Sequence, residues 1–388
     1  MKILLVHNYY KYSGGEDSVF KNEVTALERA GHEVTTYTRN NLELNDFSLF
    51  KRMLVPFIYC FNLRTYIDVK KIIERKHIDI VHVHNTLSLV SFSVYYAAFH
   101  KRVPVIQTIH NFRFICPNAL LFRNGCFCEK CIVENSYRAS IENGCYHNSR
   151  IHTFFLVAAL LLHKNTRAFK NLNYIFLTDL SAKKFRNFVD LNSNNVYIKG
   201  NFVASLYTDR KNVDFNRFVY VGRLESGKGI LEILEFWKCV NPNFTLTIYG
   251  DGPLKDKIES ISENSSNIFY EGKKSNDLIL SELSFSTAMI FPSKYFENFP
   301  MTVIESFSVG CPVIAYAFGN GAELVSKSKG GIIYNDYSSF SQAIQIVIQK
   351  NSFFSNNAIK FYLDTSTEER SLIELNHIYL DLIKNNHF

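Results

Sequence analysis

The strongest constraint on the fold is an alternation of short apolar strands and amphipathic helices that occurs twice along the chain. The first series opens with an apolar run at Lys2–His7, and Val19–Ala30 then places its apolar residues on one helical face. The second series opens with an apolar run at Arg217–Val221. Strands that are apolar throughout are typical of parallel sheets with helices on both faces. The sequence therefore predicts an α/β protein with two doubly wound, Rossmann-like domains.

The predicted domains extend over residues 1–205 and 206–367, and residues 368–388 are predicted to form a helix that packs back across both. A chain of 388 residues is too long for one ordinary hydrophobic core, which agrees with two domains. The remaining predicted strands show the same short apolar pattern. They are Glu33–Thr38, Asp79–His84, Val103–His110, Tyr174–Thr178, Thr245–Tyr249, Ser286–Phe291, Pro312–Tyr316 and Gly331–Tyr334.

Charge and hydropathy narrow the function. The formal net charge of +7 is too mild to indicate a nucleic-acid partner, but it suits an anionic small ligand or an anionic membrane surface. We recognise no signal peptide after Met1, and the longest apolar stretch, Phe154–Leu162, is far short of the roughly 20 residues that span a bilayer. We therefore expect a cytoplasmic protein whose 8 cysteines are thiols or metal ligands, not disulfides.

Three segments that follow predicted strands contain residues suited to a phosphorylated ligand, since ligands of open α/β sheets lie at the carboxyl ends of the strands. The first contains Gly14 and Gly15, which permit close backbone approach just before a helix N-terminus that can bind an anion. It matches neither G-x-G-x-x-G nor the P-loop, which argues against a dinucleotide or ATP. The alternative is a plain turn that caps a helix.

The second segment carries Arg223 and Lys228 in a glycine-bearing loop before a helix. A guanidinium binds phosphate oxygens in pairs and an ammonium adds a point charge, so together they could neutralise a departing diphosphate. The alternative is a solvated loop with two surface cations.

The third segment begins at Glu297, just before a helix whose start Pro300 favours, and ends at Glu305. One carboxylate suits a sugar hydroxyl and the other a ribose diol, because an ionised carboxylate only accepts hydrogen bonds. The backbone amides of Met301 and Thr302 would face phosphate. The alternative is negative charge that complements the helix dipole.

Together, these segments resemble the large retaining glycosyltransferase family 4, and the resemblance extends nearly from end to end. The matching strings are KILLVHNYYKYSGGED, GHEVTTYTR, IVHVHN, TIHN, YVGRLESGKG, IYGDGPL and FPSKYFENFPMTVIESFSVGCPVIAY, of which the E-x7-E pair with GR…K is the most specific. The family has the GT-B fold, so the resemblance implies two Rossmann-like domains that face each other across a cleft. It also implies transfer of a sugar from a nucleotide-diphosphate donor with retention, the leaving phosphate helping to deprotonate the acceptor, and catalysis without a divalent metal.

The resemblance also implies roles for individual residues. His110 and Glu297 would face the transferred sugar and act in catalysis. Glu323 lies where the family often has a glutamate, without an assigned role. The remaining residues would bind the donor: Gly14, Gly15, Arg223, Lys228, Met301, Thr302 and Glu305.

Histidines and cysteines raise the question of a metal. Strand alternation and separation along the chain argue against a site made of His82, His84 and His110. A cysteine cluster is a better candidate, since one branch of the family has a similar CP, CxxC and GCY pattern, which implies a structural zinc site. Its ligands would be Cys116, Cys128, Cys131 and Cys145, with Cys126 as an extra thiol; the alternative is a loop of unliganded thiols.

Two segments combine apolar residues with cations, Lys51–Tyr59 and Ile151–Lys164. Either could lie on the inner face of the cell membrane, where a lipid-linked acceptor would be found, or simply cover the sheet. The leading hypothesis is a hexosyltransferase that acts on a glycan or lipid-linked glycan in surface polysaccharide synthesis. A nucleotide-sugar epimerase or phosphorylase of related fold and a non-catalytic scaffold subunit are the alternatives.

Overall fold

The structure is a computed structural model that describes residues 1–11, 14–166, 168–186, 188–189, 191, 195–204 and 213–385, with the side chains of residues 49–53 outside the description. It divides into two compact units. The first comprises Met1–Leu120, Glu129–Asn201 and Glu368–Phe388, and the second comprises Leu121–Cys128 and Phe202–Thr367. The predicted boundary between residues 205 and 206 lies outside the described residues.

The described strands are β1 (Lys2–Tyr9), β2 (Glu33–Asn40), β3 (Ile80–Val83), β4 (Val105–Ile109), β5 (Phe122–Arg123), β6 (Cys126–Phe127), β7 (Asn173–Phe176), β8 (Val196–Ile198), β9 (Asp214–Val221), β10 (Thr245–Tyr249), β11 (Ile268–Gly272), β12 (Ser286–Phe291), β13 (Val313–Tyr316) and β14 (Gly331–Tyr334).

The described α-helices are α1 (Gly15–Arg29), α2 (Leu49–Cys60), α3 (Leu63–Lys76), α4 (Ser93–His100), α5 (Lys130–Val133), α6 (Arg138–Glu142), α7 (Arg150–Asn165), α8 (Asp179–Arg186), α9 (Ile230–Trp237), α10 (Lys255–Glu263), α11 (Asn276–Phe285), α12 (Met301–Ser308), α13 (Gly319–Ser328), α14 (Tyr337–Gln349), α15 (Asn351–Thr365) and α16 (Glu368–Lys384). Short 3₁₀ helices lie at Asn41–Asp46 and Ser226–Lys228.

The first unit contains a parallel sheet in the order β2-β1-β3-β4-β7-β8. Its central strands β1, β3, β4 and β7 are buried because helices cover them, whereas the edge strands β2 and β8 are partly exposed. One face packs Ile3, Leu5 and Ile80 against Phe20 and Leu27 of α1. The strand order changes direction at β1, which has β2 on one side and β3 on the other.

The second unit contains a parallel sheet in the order β11-β10-β9-β12-β13-β14, the order of dinucleotide-binding domains. Alternate residues of β9 enter two different cores. Phe218 and Tyr220 pack with α9 and α14, whereas Val219 packs with α12 and α15. Because successive side chains of a strand point to opposite faces, the sheet has a hydrophobic core on each face. The predicted class, two Rossmann-like doubly wound α/β units, is confirmed.

The last helix packs with elements from the start of the chain. α16 belongs to the first unit, where Leu375, Ile378 and Tyr379 pack on the same face of the sheet as α1. The Tyr197 hydroxyl also donates to Asp381 of this helix at 2.6 Å. Among the described elements after residue 202, α16 is the one that groups with the first unit, and its predicted packing across both domains stays a prediction.

A hairpin differs from the prediction. Residues 121–128 lie far before the predicted boundary but group with the second unit. The Phe122 ring meets the Tyr295 ring edge to face with centroids 4.6 Å apart, and the Phe127 ring lies 5.1 Å from that of Phe318. Aromatic burial therefore attaches the β5–β6 hairpin to residues of the second unit.

Candidate active site

The carboxyl ends of β9 and β12 are the point in the second unit where the strand order reverses. Chains leaving two such strands turn to opposite faces and leave a crevice between them, where ligands of this fold class bind. Lys228 follows β9 and Glu297 follows β12, and Lys228 Nζ lies 2.7 Å from Glu297 Oε1. The two side chains are only 22% and 17% exposed. The structure thus brings these two predicted residues together as a partly buried ion pair.

Two glycines let the loop that carries Lys228 approach the chain after β12. Gly229 has φ +71°, and a Cβ there would lie 2.1 Å from the carbonyl oxygen of Pro292. A Cβ on Gly227 would lie 2.3 Å from the Tyr295 ring. The Lys294 amide also donates to the Gly227 carbonyl at 2.9 Å. Close backbone contact therefore sets the position of Lys228.

Arg223 is placed differently. Its side chain is 63% exposed and pairs with Glu225 at 3.4 Å, whereas its carbonyl oxygen accepts from the Tyr220 hydroxyl at 3.1 Å. Burial and the Glu225 carboxylate raise the pKa of Tyr295 to about 12, so this hydroxyl stays protonated and can donate to Glu225. Lys228 Nζ lies 5.8 Å from the centroid of the same ring. Tyr295 therefore lies beside both cations, although none of the described contacts joins Arg223 to Lys228.

α12 begins at Met301, one residue after Pro300, as predicted. The first amides of a helix, here those of Met301 and Thr302, have no partner within the helix and can face an anion. Glu305 lies one turn further on, and burial raises the pKa of its carboxyl group to about 7. Its side chain makes no hydrogen bond to any described residue, so the carboxylate is open to a ligand with hydroxyl donors.

α13 supports the loop that contains Glu297. The Asn320 side-chain amide donates to the carbonyl oxygens of Glu297 at 2.7 Å and Asn298 at 3.0 Å. Glu323, one turn along, pairs with Lys327 at 2.7 Å and has no contact with the Lys228–Glu297 pair among the described contacts.

In the first unit, Asp17 organises the turn before α1. Its carboxylate accepts from the Gly14 amide at 3.0 Å and lies 2.8 Å from Nε2 of the fully buried His7. Gly14 and Gly15 are exposed, neither has a positive φ, and no heavy atom lies within 4 Å of a Cβ placed on either. The described fold therefore does not itself require glycine at these two positions.

His110 follows β4 and takes part in a buried chain of hydrogen bonds. Its Nε2 lies 2.9 Å from Nδ1 of His84, and His84 Nε2 lies 3.1 Å from Oε1 of Glu23. Burial and then the neighbouring His84 hold the pKa of His110 well below its usual value, so the imidazole is neutral at pH 7. His110, Asn111 and Arg113 line a small cavity that is open to solvent.

Among the described residues, one group of three or more possible metal ligands has its ligand atoms within 4.8 Å of one another. This group is not the set of His82, His84 and His110 that the sequence suggests. The group consists of Glu23, His82 and His84, all buried. His110 is not a member. His82 is hydrogen-bonded through both nitrogens, with Nδ1 2.6 Å from the Tyr379 hydroxyl and Nε2 2.7 Å from that of Thr108.

The predicted zinc ligands do not form a group of this kind, with three ligand atoms close together. The Cys116 thiol donates to Asn118 Oδ1 at 3.0 Å, and no set of three thiols lies within 4.8 Å among the described residues. Cys128 groups with the second unit, while Cys131 and Cys145 belong to the first. The thiols therefore do not fit a zinc ion as they are placed here, and the zinc site stays a prediction.

Comparison with known proteins follows the same division of the chain. Residues 13–125 match the model of Glycosyltransferase Family 4, and residues 208–360 match that of the glycosyl transferases group 1. An uncharacterised glycosyltransferase of Methanocaldococcus jannaschii is 26% identical over 86% of this chain and 84% of its own. The amylovoran biosynthesis glycosyltransferase of Erwinia amylovora is 32% identical over 32% of this chain and 35% of its own.

Solved structures share the fold. A glycosyltransferase from Rickettsia africae has a TM-score of 0.70 at 15% identity and covers 99% of both chains. An Anabaena protein solved with UDP has a TM-score of 0.66 at 14% identity, covering 97% of this chain and 99% of its own. The two parallel-sheet units are thus those of the GT-B fold. The protein is a glycosyltransferase of the group 1 and family 4 type.

Sequence reasoning missed several residues of these sites. Glu23 and Asn320 lie outside the strings that resemble the family, and Tyr295 lies inside one of them without an assigned role. The i, i+2 spacing of His82 and His84 on one strand does place both side chains on one face, and this spacing was the available indication that they act together.

The glycines provide a test of what the fold requires. Gly229→Ala should lower the free energy of unfolding by at least about 1–2 kcal/mol, because alanine disfavours the left-handed conformation and its Cβ would meet Pro292. Gly15→Ala should leave it unchanged or raise it by about 0.4–1 kcal/mol. Urea denaturation measures both. Equal destabilisation by the two variants would show that Gly15 is a structural glycine after all.

Proposed function

We propose that the protein transfers a hexose, with retention of configuration, from a nucleotide-diphosphate sugar to a glycan or lipid-linked glycan during surface polysaccharide synthesis. The observation that carries the proposal is the Lys228–Glu297 pair at the switch point of the second unit. Related proteins support it. The Anabaena neighbour was also solved with UDP-glucose, and a partial relative from Bacillus subtilis, 28% identical over 37% of this chain and 22% of its own, is a poly(glycerol-phosphate) alpha-glucosyltransferase.

In this proposal the cations and the start of α12 receive the diphosphate. Arg223 and Lys228 supply two positive charges, and the amides of Met301 and Thr302 supply helix N-terminal donors. Charge that develops on the departing phosphate is stabilised without a metal ion, so a chelator should not reduce turnover. The Gly14–Gly15 turn has room on its backbone for the same donor.

The carboxylates recognise hydroxyl groups. Glu297, freed from Lys228 when a phosphate takes the ammonium, accepts from hydroxyls of the transferred sugar, and Glu305 accepts from the ribose diol. His110 contacts the same sugar. The bond from C1 to the phosphate oxygen breaks and a bond from C1 to the acceptor oxygen forms on the same face, while the acceptor proton passes to the departing phosphate. No side-chain nucleophile is needed.

Lys228 gives the most direct test. A nucleotide-diphosphate sugar at 100 times its dissociation constant should stabilise the protein by about 2.7 kcal/mol, seen as a raised melting temperature. A panel of UDP-, GDP- and ADP-sugars would identify the base. In Lys228→Met this shift should disappear and kcat/KM should fall by roughly 10²–10³, because the variant lacks the preorganised ammonium that stabilises the negative charge of the leaving phosphate.

Lys238→Met is the matched control, since that lysine is 60% exposed and pairs only with its helical neighbour Glu235 among the described residues. Full turnover in Lys228→Met would contradict the diphosphate assignment. An epimerase would instead release an altered nucleotide sugar without any acceptor, and a scaffold would show no shift with any donor.

The raised pKa of Glu305 predicts a pH dependence. Burial raises the pKa of this carboxyl to about 7 in the free protein, and the two hydroxyls of a ribose diol can both donate to the ionised form, whereas one oxygen of the protonated form is itself a donor. Donor binding therefore lowers the pKa, and affinity should fall as the pH drops below 7, by up to about tenfold per pH unit. Calorimetry with an intact nucleotide sugar between pH 5.5 and 8 measures this. Glu305→Gln should bind more weakly at pH 8 with a flat profile, and a pH dependence that survives in it would show that another group titrates.

A face of the first unit suits a lipid-linked acceptor. α2 and α7 pack together, and their rings form a series, with Phe57 6.0 Å from Phe155 and Phe155 5.7 Å from Phe154. Phe57 is 62% exposed, Phe154 54% and Ile151 69%. Exposed Arg150 begins α7, and the chain carries a net charge of +7. We propose that this face contacts an anionic membrane surface. No helix in the described part of the chain is long and apolar enough to cross a bilayer.

Vesicle binding tests the membrane proposal. The protein should co-sediment with phosphatidylglycerol vesicles more than with phosphatidylcholine vesicles, and Phe57→Ser/Phe154→Ser should lose most of this binding, because burial of each ring is worth about 1.5–3 kcal/mol. Ile373→Ser/Leu380→Ser removes two comparably exposed apolar side chains, 56% and 47%, from α16. Equal loss in both double variants would contradict a specific membrane face.

A further inference from the structure

A charged cluster lies buried beneath His110 in the first unit. Glu23 is 5% exposed, His84 3% and Lys199 4%. Lys199 Nζ lies 3.8 Å from Glu23 Oε2, so the buried carboxylate has a positive partner. Isolated buried charges are costly, and a cluster of this kind requires an explanation in terms of its hydrogen bonds.

The hydrogen bonds determine where each proton lies. Burial raises the pKa of Glu23, but the neighbouring His84 and His82 outweigh this effect and leave the pKa well below its usual value, so Glu23 is ionised and only accepts. His84 Nε2 must therefore donate to Glu23 Oε1 across their 3.1 Å contact. Burial lowers the pKa of His84 to about 4 despite Glu23, so the ring is neutral and its Nδ1 is an acceptor.

The tautomer of His84 determines that of His110. His84 Nδ1 lies 2.9 Å from His110 Nε2, and an acceptor at that position requires His110 Nε2 to carry the proton. His110 is neutral, so its Nδ1 bears a lone pair. This Nδ1 makes no hydrogen bond with any described residue, and the ring lines the small cavity that is open to solvent.

We propose that Glu23 and His84 are positioning residues that hold His110 as the Nε2–H tautomer and present its Nδ1 lone pair to a hydroxyl of the transferred sugar. The second half of this inference rests on the proposed function; the tautomer itself does not. The other tautomer would place an N–H at Nδ1, where it could donate to the sugar but not accept from it. The hydrogen bonds from Glu23 through His84 thus determine that Nδ1 of His110 accepts, and does not donate, in its contact with the sugar.

Thr108 and Tyr379 hold His82, whose Nδ1 also lies 3.1 Å from Glu23 Oε1, so this ring is a second partner of the carboxylate beside His84. They bind the two nitrogens of His82, whose ring centroid lies 4.5 Å from that of His84. These contacts explain the closeness of Glu23, His82 and His84 through hydrogen bonds alone. A metal held by the three would use the His84 Nε2 lone pair, which the proposed chain requires to be protonated.

Nitrogen-15 NMR of histidine-labelled protein measures the tautomer directly. The His110 ring should show a protonated Nε2 and an unprotonated Nδ1, and Nδ1 should shift when a nucleotide-diphosphate sugar binds. His84→Phe removes the acceptor and should give His110 a mixture of tautomers, with kcat lowered about 10- to 100-fold, as when the hydrogen-bond partner that orients a metal-ligating histidine is removed. His84→Asn should restore the Nε2–H tautomer and much of kcat, since its amide oxygen stands near the former Nδ1.

Thr108→Val is the matched control: it removes a buried hydrogen bond at Nε2 of His82, the ring nitrogen that does not face Glu23, and should keep the His110 tautomer. An Nδ1–H tautomer in the wild type, or one unchanged by His84→Phe, would overturn the proposal. One equivalent of bound metal that is lost in His82→Phe would overturn it as well. If His110 shows the predicted tautomer but the protein binds no nucleotide-diphosphate sugar, the hydrogen bonds from Glu23 through His84 to His110 are supported. The proposed function is then overturned instead.

Discussion

Parallel strand pairing is the constraint on which the sites of this protein depend. In both units every strand of the large sheet runs the same way, so the loops that leave the carboxyl ends all emerge at one edge. In the second unit the order reverses between β9 and β12, and the loops after these two strands meet there. Lys228 and Glu297, 69 residues apart in the chain, form their ion pair at this place. The first unit reverses at β1, where the Gly14–Gly15 turn begins.

The carboxylates of the two sites lie in two kinds of environment. Glu297 and Glu305 lie at a ligand edge, one held by an ammonium that a phosphate can take over and one with its pKa raised by burial to about 7. Glu297 is therefore able to change partner, and Glu305 is able to change its protonation state. Glu23 is enclosed by two histidines and Lys199 and has no such freedom. A carboxylate that cannot move or protonate is suited to orient its neighbours, whereas one that can change partner is suited to bind a substrate.

Local chemistry made part of the site predictable. Pro300 and the apolar periodicity after it predicted the start of α12, and the glycines around Lys228 predicted a loop, which the positive φ of Gly229 explains. Long-range contacts were not predictable. Neither the bond between Glu23 and His84 nor the packing of Phe122 on Tyr295 follows from any local pattern, because each depends on where two distant elements meet. The four cysteines show the same limit, since their spacing indicated a zinc site and could not say where the thiols lie in the fold; among the described residues no three of these thiols lie within 4.8 Å of one another.

By itself the sequence determined the class: apolar strands alternating with amphipathic helices require covered parallel sheets, and a second series after residue 213 requires a second sheet. The motifs at the strand ends indicated a glycosyltransferase. Tertiary structure alone decided that α16 packs beside α1, that the β5–β6 hairpin groups with the second unit, and that His110 is hydrogen-bonded through His84 to a buried carboxylate. The physical reason is that hydrophobic periodicity specifies which face of an element is buried, while the partner of that face is chosen by packing among all the elements at once.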